Sequence, residues 1–268
     1  MYLITRFNKR WMNEGLKESG MQKSFIFIPR LLTMHYFYSK DISDSEIGLS
    51  KEEAHHASRV LRLKIGDKVG VFDGEGVIYH CSINELTKQE CKLIIDDSVK
   101  STFPRPKLTM LIAPTKSNER FEWFLEKACE IGVGHIVPIV THHSERKHIR
   151  LDRFEKVLLS AMKQSMNPYL PGIEEMSSFK EEVTKYKHAE RYISHCADGD
   201  KKELIDVISN KNESVIMIGP EGDFSAEEIQ MALKEGWQEV SLGHQRFRSE
   251  TAGVLAVHMH SLKTRIKN

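Results

Sequence analysis

Two short apolar runs near the carboxy terminus each lead into a glycine-containing loop and then a helical pattern, and those loops are where this chain can do chemistry. The first reads Val215-Ile216-Met217-Ile218, then Gly219-Pro220-Glu221-Gly222-Asp223-Phe224. The second reads Val240-Ser241-Leu242-Gly243, then His244-Gln245-Arg246-Phe247-Arg248-Ser249-Glu250-Thr251-Ala252. Strand-to-loop junctions at the carboxyl ends of a parallel sheet build the crevice in which open α/β proteins bind their ligands. Glycines let the backbone approach such a ligand without a Cβ in the way. Loops this rich in backbone N–H and C=O suit a ligand read through an adenine edge and a ribose, without phosphates that would demand a helix N-terminus.

Other chemistries fail on order or spacing. A dinucleotide site needs its glycine loop between the first strand and a helix, whereas Gly132-Val133-Gly134 follows a helical pattern and precedes a strand. There is no G-x-x-x-x-G-K-[ST] and no G-x-S-x-G, so neither a P-loop nor a hydrolase elbow is supported. His142, His143 and His148 lack helix-spaced carboxylate partners and read as a solvated loop rather than a metal site.

The elements that must hold the two loops follow from the hydrophobic period. At 268 residues, 40% hydrophobic and 29% charged, the chain is long enough for one large domain or two ordinary ones. Its net charge of +1 means that any nucleic-acid surface is a local patch. Cys81, Cys91, Cys129 and Cys196 form no C-x-x-C pair and read as reduced core thiols. Residues 1–33 read as a poorly ordered extension ahead of Met34.

From 34 to 103 the pattern is small β structure. Gly66-Asp67 and Asp73-Gly74 are read as hairpin turns, and one helix is expected over 52–61. Phe103-Pro104-Arg105-Pro106 marks a linker. Beyond it, strands alternate with helices, which predicts a mostly parallel sheet. A helix over 118–131 should bury Phe121, Phe124, Leu125 and Ala128 and end at Gly132. The helix over 152–166 should open on an Asp152-x-x-Glu155 cap, and another should occupy 202–209. Ser225 and Glu228 predict a capping box, and Leu255, Met259, Leu262 and Ile266 the buried stripe of the last helix.

These motifs, in this order and spacing, resemble the bacterial 16S rRNA uridine-N3 methyltransferases, the ribosomal small-subunit methyltransferase E family of the SPOUT class. The likeness covers residues 34–268. It rests on His56, Val60-Leu61-Arg62 and Phe72-Asp73-Gly74-x-Gly76 in the first part. In the second it rests on Lys116, Arg120, Glu122-Trp123, Glu130-x-Gly132-Val133, Gln164-Ser165, Gly219-Pro220-Glu221-Gly222, Leu242-Gly243 and Arg248-x-Glu250-Thr251-Ala252. It departs from the family at Met166-Asn167, where Gly-Arg is usual, at His244-Gln245, where Pro-Arg is usual, and at Asp223, where glycine is usual.

The resemblance implies an α/β fold in two parts. Residues 34–103 would form a small PUA-like, OB-like β-barrel for RNA contact. Residues 104–268 would form a SPOUT domain with a deep trefoil knot that binds S-adenosyl-L-methionine and forms a homodimer. It further implies a cytoplasmic enzyme acting on 16S rRNA of the 30S ribosomal subunit, with no metal and no membrane. The implied cofactor pocket is Ile218, Gly219, Pro220, Glu221, Gly222, Leu242, Gly243, Arg246, Phe247, Arg248 and Thr251.

Methylating N3 of uridine requires loss of the imide proton, which puts negative charge on the ring oxygens. Arg248 is the candidate to stabilise that charge, a contribution of about 3 kcal/mol for one well-placed donor; the alternative is that it braces Glu250 or the loop carbonyls. Gln164 and Asn167 could read the base edge or simply satisfy a helix end. Glu221 suits a ribose or backbone N–H better than the role of base, and no residue stands out as the proton acceptor. Arg59, Arg62, Lys64, Arg146 and Arg150 are the candidate RNA contacts, set against the ordinary reading of charge runs as solvated faces. Another RNA target, such as tRNA, or a non-catalytic assembly factor remains the alternative to this function.

Overall fold

The structure is a computed structural model that describes residues 34–102, 104–209 and 213–265; the extension expected at 1–33 and Ile266 of the expected stripe lie outside them. Residues 35–100 form a six-stranded sheet from β1 (His35–Tyr38), β2 (Asp41–Ile42), β3 (Glu46–Leu49), β4 (Lys68–Phe72), β5 (Val77–Leu86) and β6 (Cys91–Lys100), in the order β1-β4-β5-β6-β3-β2. The pairs β2–β3, β3–β6, β4–β5 and β5–β6 are antiparallel. Alternation selects the interior face: Val69, Val71, Cys81, Ile83, Cys91 and Leu93 are buried together with Phe37 and Ile47. Ala54 and Ala57 of the one helical stretch close this small core.

That stretch is not the single helix expected. It is a short α-helix, α1 (Lys51–His55), capped by Ser50, running into a π-helical turn over His56–Val60. The turn ends with Arg62 in the left-handed region at φ 54°. Asp73-Gly74 does turn β4 into β5, with Asp73 Oδ1 accepting from the Glu75 and Val77 N–H groups. Gly66-Asp67 does not join two paired strands; it ends the segment that leads from the π turn into β4.

The second sheet has eight strands. Its order is β10-β8-β7-β13-β11-β14-β12, with β9 paired on β8, for β7 (Leu108–Ile112), β8 (His135–Val140), β9 (Gly172–Ile173), β10 (Ser177–Ser178), β11 (Glu190–Ser194), β12 (Lys202–Glu203), β13 (Ser214–Ile218) and β14 (Gln238–Ser241). Every one of these pairings is parallel, as the strand–helix alternation predicts. Central strands buried on both faces read as unbroken apolar runs, and β13 is buried at all five positions.

The helices between and after these strands are α2 (Asn118–Ile131), α3 (Leu151–Ser165), α4 (Phe179–Glu182), α5 (Leu204–Val207), α6 (Ala226–Lys234) and α7 (Ser249–Arg265). On one face of the sheet α2, α3 and α7 share a core that includes Phe121, Phe124, Leu125, Phe154, Leu158, Ala256 and Val257. On the other, Phe179, Val183, Phe224, Ile229 and Trp237 cover Leu111, Val137, Ile193 and Met217. Each fully buried Leu, Ile or Phe among these contributes about 1.5–3 kcal/mol. The expected inward face of α2 is buried throughout, and Gly132 caps the helix at φ 114°.

Three further expectations about helices fail. No side chain caps α3: it starts at Leu151 behind Arg150, and Asp152 sits in the first turn 3.2 Å from the Arg150 guanidinium. The segment 202–209 is the two-residue strand β12 followed by the single short turn α5. In α7 the buried face is Gly253, Ala256, Val257, His260 and Ser261, while Leu262 is 45% exposed. A search for large side chains misses a seam of small ones. An added Cβ on Gly253 would stand 2.7 Å from the Phe124 ring, so α7 packs against α2 through its smallest residues. Cys196 is exposed, unlike the other three cysteines, because it lies past the end of β11 in a loop.

The two sheets share a boundary. Phe72 of the first joins the core of the second, and the Lys163 ammonium of α3 sits 2.6 Å from the Glu53 carboxylate of α1.

Candidate active site

Strand order decides what the two glycine loops enclose. β13 and β14 are not neighbours; β11 lies between them, with Ser194 opposite both Ile218 and Val240. The loop that leaves β11 therefore stands between the two glycine loops. All three close on one cavity of about 810 Å³, inside the range of about 300–1,000 Å³ usual for small-molecule sites. Its walls are Ser194–Gly199 and Lys201 from the middle strand, Ile218–Glu221 and Asp223 from the first glycine loop, and Ser241–Ser249 with Ala252 from the second.

Nine of the eleven expected cofactor residues line this cavity: Ile218, Gly219, Pro220, Glu221, Leu242, Gly243, Arg246, Phe247 and Arg248. Glu221 and Phe247, far apart in sequence, share it. Gly222 and Thr251 are not among the lining residues. Gly222 turns toward the His143 side chain, 2.9 Å from where its Cβ would be, and Thr251 lines a second opening.

The loops are braced from behind. Asp223 adopts φ 64°, does the work of the glycine usual there, and adds two hydrogen bonds: its Oδ2 accepts from the Cys196 N–H at 2.7 Å and its Oδ1 from the Phe224 N–H at 2.8 Å. The first loop is thereby tied to the middle one. Glu221 Oε1 accepts from the Lys116 N–H at 3.1 Å, tying it also to the loop after β7. In the middle loop the Lys201 ammonium donates to the His195 and Ala197 carbonyls at 2.6 and 2.7 Å. His195 Nε2 pairs with Glu239 at 2.9 Å; burial, aided by Lys201, moves its pKa below the usual histidine range against the opposing pull of Glu239. In the second loop Gly243 at φ 125° allows the turn that Ser241 Oγ caps by accepting its N–H.

The middle loop is what the sequence reading misses. The Asp198-Gly199 pair in the loop beyond β11 is the one local signal of a turn there, and nothing in it says that the turn lies beside the glycine loops.

A second cavity, of about 570 Å³, opens beside the first and shares Arg246, Phe247 and Arg248 with it. Its other walls are Glu119, Arg120 and Trp123 of α2, with Glu250 and Thr251 at the start of α7. Trp123 is 43% exposed. Glu250 is only 5% exposed, its Oε1 is 3.8 Å from the Arg120 Nε, and its Oε2 has no hydrogen-bond partner among the described residues.

Gln164 and Asn167 lie at the end of α3, outside both cavities. Gln164 is exposed. Asn167 spends its side chain on the fold, its Nδ2 donating to the Cys129 carbonyl at 3.0 Å and its Oδ1 accepting from the Tyr169 N–H at 3.1 Å. Arg146 is half-buried and donates to the Thr115 and Lys116 carbonyls, while Arg150 pairs with Asp152. Arg59, Arg62 and Lys64 are exposed around the π turn, interleaved with Val60 and Ile65, which are 64% and 68% exposed.

Two family models match this chain. Residues 102–261 match the RNA methyltransferase domain and residues 49–96 the RNA methyltransferase PUA domain. A ribosomal RNA small subunit methyltransferase E from Synechocystis is 27% identical over 240 residues, covering 87% of this chain and 77% of its own. A solved structure of a probable rRNA-methyltransferase from Porphyromonas gingivalis is similar at a TM-score of 0.80 and 36% identity, over 86% of this chain and 98% of its own. A ribosomal RNA small subunit methyltransferase E from Neisseria gonorrhoeae, solved bound to S-adenosyl methionine, reaches a TM-score of 0.76 at 25% identity, over 84% and 95% of the two chains. With its catalytic match spanning more than half of its length, the chain belongs to the RNA methyltransferases of the ribosomal RNA small subunit methyltransferase E family.

Proposed function

We propose that this protein is an S-adenosylmethionine-dependent methyltransferase of small-subunit ribosomal RNA that methylates N3 of a uridine in 16S rRNA. The observation that carries this reading is the single cavity enclosed by three loops at the ends of adjacent parallel strands. Its donor set fits the methyl donor: apolar Ile218, Leu242 and Phe247 for an adenine, backbone of Gly219 and Gly243 for its edge, and Glu221 for ribose hydroxyls. When bound, the cofactor supplies an electrophilic methyl group on a sulfonium. The residues of this chain then have three tasks: to hold it, to keep water from it, and to bring a deprotonated ring nitrogen in line with it. Arg248, at the junction of the two cavities, is suited to stabilise the negative charge that develops on the base.

Because N3 lies on the pairing edge, the uridine must leave its stack, at a cost of a few kcal/mol. Residues 34–103 would grip the surrounding RNA, with Arg59, Arg62 and Lys64 presented on an exposed turn beside Val60 and Ile65; residues 104–268 would carry the chemistry. A homodimer is part of this reading and is supported by Leu262, exposed on α7 beside the half-buried Leu255 and Met259. The cytoplasm, where the subunit is assembled, is its place of action.

The test is transfer of labelled methyl groups from the cofactor to 30S particles that lack the modification, followed by nucleoside analysis. Label in N3-methyluridine of 16S rRNA is the expected result. Label only in tRNA, or none with folded protein, refutes it. Sedimentation tests the dimer separately.

A further inference from the structure

We infer that the second cavity, beside the cofactor loops, is the seat of the methyl-accepting base, and that Glu250 is the group that takes its N3 proton. This rests on the function proposed above and adds to it the missing acceptor.

A carboxylate that is 5% exposed with one oxygen unpartnered among the described residues is costly to leave alone; an unsatisfied buried acceptor costs about 1–3 kcal/mol, more when charged. Glu250 lines the cavity, and its Oε2 calls for a donor from a ligand. The groups around it define which donor. The imide edge of uracil presents acceptor, donor, acceptor: O4, N3–H and O2. Its complement is donor, acceptor, donor. Arg120, Glu250 and Arg248 line this one cavity and supply those three types, with the Arg120 Nε 3.8 Å from the Glu250 carboxylate. Cytosine, with an acceptor at N3, would set one acceptor against another. The fourth element is Trp123, on the same face of α2 as Arg120 by its three-residue spacing and exposed enough to stack on a base drawn out of its helix.

The proton step balances within the site. The N3–H proton passes to Oε2, the carboxylate becomes a carboxylic acid, and the uracil becomes an anion whose charge the two guanidiniums offset. The proton leaves to solvent once the base is methylated. The two cavities share Arg246, Phe247 and Arg248, so a base seated here adjoins the cofactor cavity. A carboxylate is a weak base for an imide, so the negative charge that the guanidiniums offset on the uracil anion is what makes the transfer accessible.

The experiment compares wild type with Trp123→Ala and Glu250→Gln. Wild type is first shown to methylate 30S particles, so failure of the parent reading appears at that stage and is distinguished from the effects of the variants. Calorimetry first measures the folding transition of each variant and its affinity for S-adenosylmethionine, both expected to match wild type. Without cofactor, affinities for short single-stranded uridylate and cytidylate RNAs are then measured. Trp123→Ala should weaken both by roughly five- to hundredfold, the range of one base–aromatic stack. Glu250→Gln should lose the preference for uridylate. Its methylation rate should fall at least about a hundredfold, the lower end for a general base, and recover by about tenfold per pH unit as the imide ionises unaided. The proposal is overturned if both variants keep wild-type rates and base preference. It is equally overturned if Glu250→Gln lowers cofactor affinity as much as turnover with an unchanged pH profile, because Glu250 then only braces the loop.

Discussion

Lys163→Met should be among the most destabilising single substitutions far from the cofactor cavity. Glu53 is 7% exposed, and its Oε1 lies 2.6 Å from the Lys163 Nζ, whose side chain is 24% exposed. At an effective dielectric of 20, two unit charges at that distance attract by about 6 kcal/mol before the cost of desolvating them is subtracted. That cost is of similar size, so the pair as a whole is close to neutral in stability. Removing one partner is different, because Glu53 stays buried and loses its counter-charge. Broken buried pairs cost about 3–5 kcal/mol, and the partial exposure of Lys163 argues for the lower end, about 3 kcal/mol. Glu53→Gln/Lys163→Met should recover most of this loss, ending within about 1 kcal/mol of wild type. The assay is equilibrium urea unfolding of all four members of the cycle, monitored by circular dichroism and by tryptophan fluorescence to verify a single transition. Because α1 packs on the sheet proposed to grip RNA and α3 on the one proposed to carry the chemistry, the single variant should also lose methylation of 30S particles before it loses cofactor binding. A Lys163→Met protein within about 0.5 kcal/mol of wild type, or a double variant no better than the single, refutes the reasoning.

Three further outcomes are expected from the same structure. His260 is 2% exposed and burial pushes its pKa down to about 4, against a weaker opposing pull from Glu190. Between its unfolded value near 6.5 and about 4 the unfolded chain binds the extra proton, so stability falls as the pH is lowered through that window, by about 2 kcal/mol from pH 7 to 5; His260→Leu should flatten this limb in pH-dependent urea unfolding. Of the four cysteines only Cys196 is exposed, and burial pushes the thiol pKa of Cys81 and Cys129 up to about 12 and that of Cys91 to about 11. Thiol alkylation with peptide mass spectrometry should therefore modify Cys196 first, and S-adenosylmethionine should protect it, since it lines the cavity proposed for the cofactor. Asn167→Ala removes two hydrogen bonds, to the Cys129 carbonyl and from the Tyr169 N–H, and should cost about 1–2 kcal/mol in unfolding experiments, with cofactor affinity unchanged by calorimetry.

The glycine loops, the parallel sheet and the inward face of α2 were legible in the chain because each is a local matter. An apolar run, a 3.6-residue period or a Ser225–Glu228 box constrains its own neighbourhood and little else, and the box forms as expected, with Ser225 Oγ accepting from the Glu228 N–H. Nine of the eleven residues expected at the cofactor came together around one cavity, because two strand ends in one parallel sheet must open on the same side. Where a local rule misled, packing overrode it. The stripe of large residues in α7 lost to Gly253 and Ala256 because the Phe124 ring occupies the space that a larger side chain would need.

What only the tertiary structure decided is which distant segments stand side by side. No period in the sequence reveals that β11 separates β13 from β14, so the wall made by Ser194–Gly199 and Lys201 was invisible until the strand order was known. Nor does it reveal that Arg120 and Trp123 of α2 meet Glu250 of α7 around one opening, over a hundred positions away in the chain. Sheet order is set by the sum of many long-range contacts. The short windows from which motifs are read carry no record of that sum.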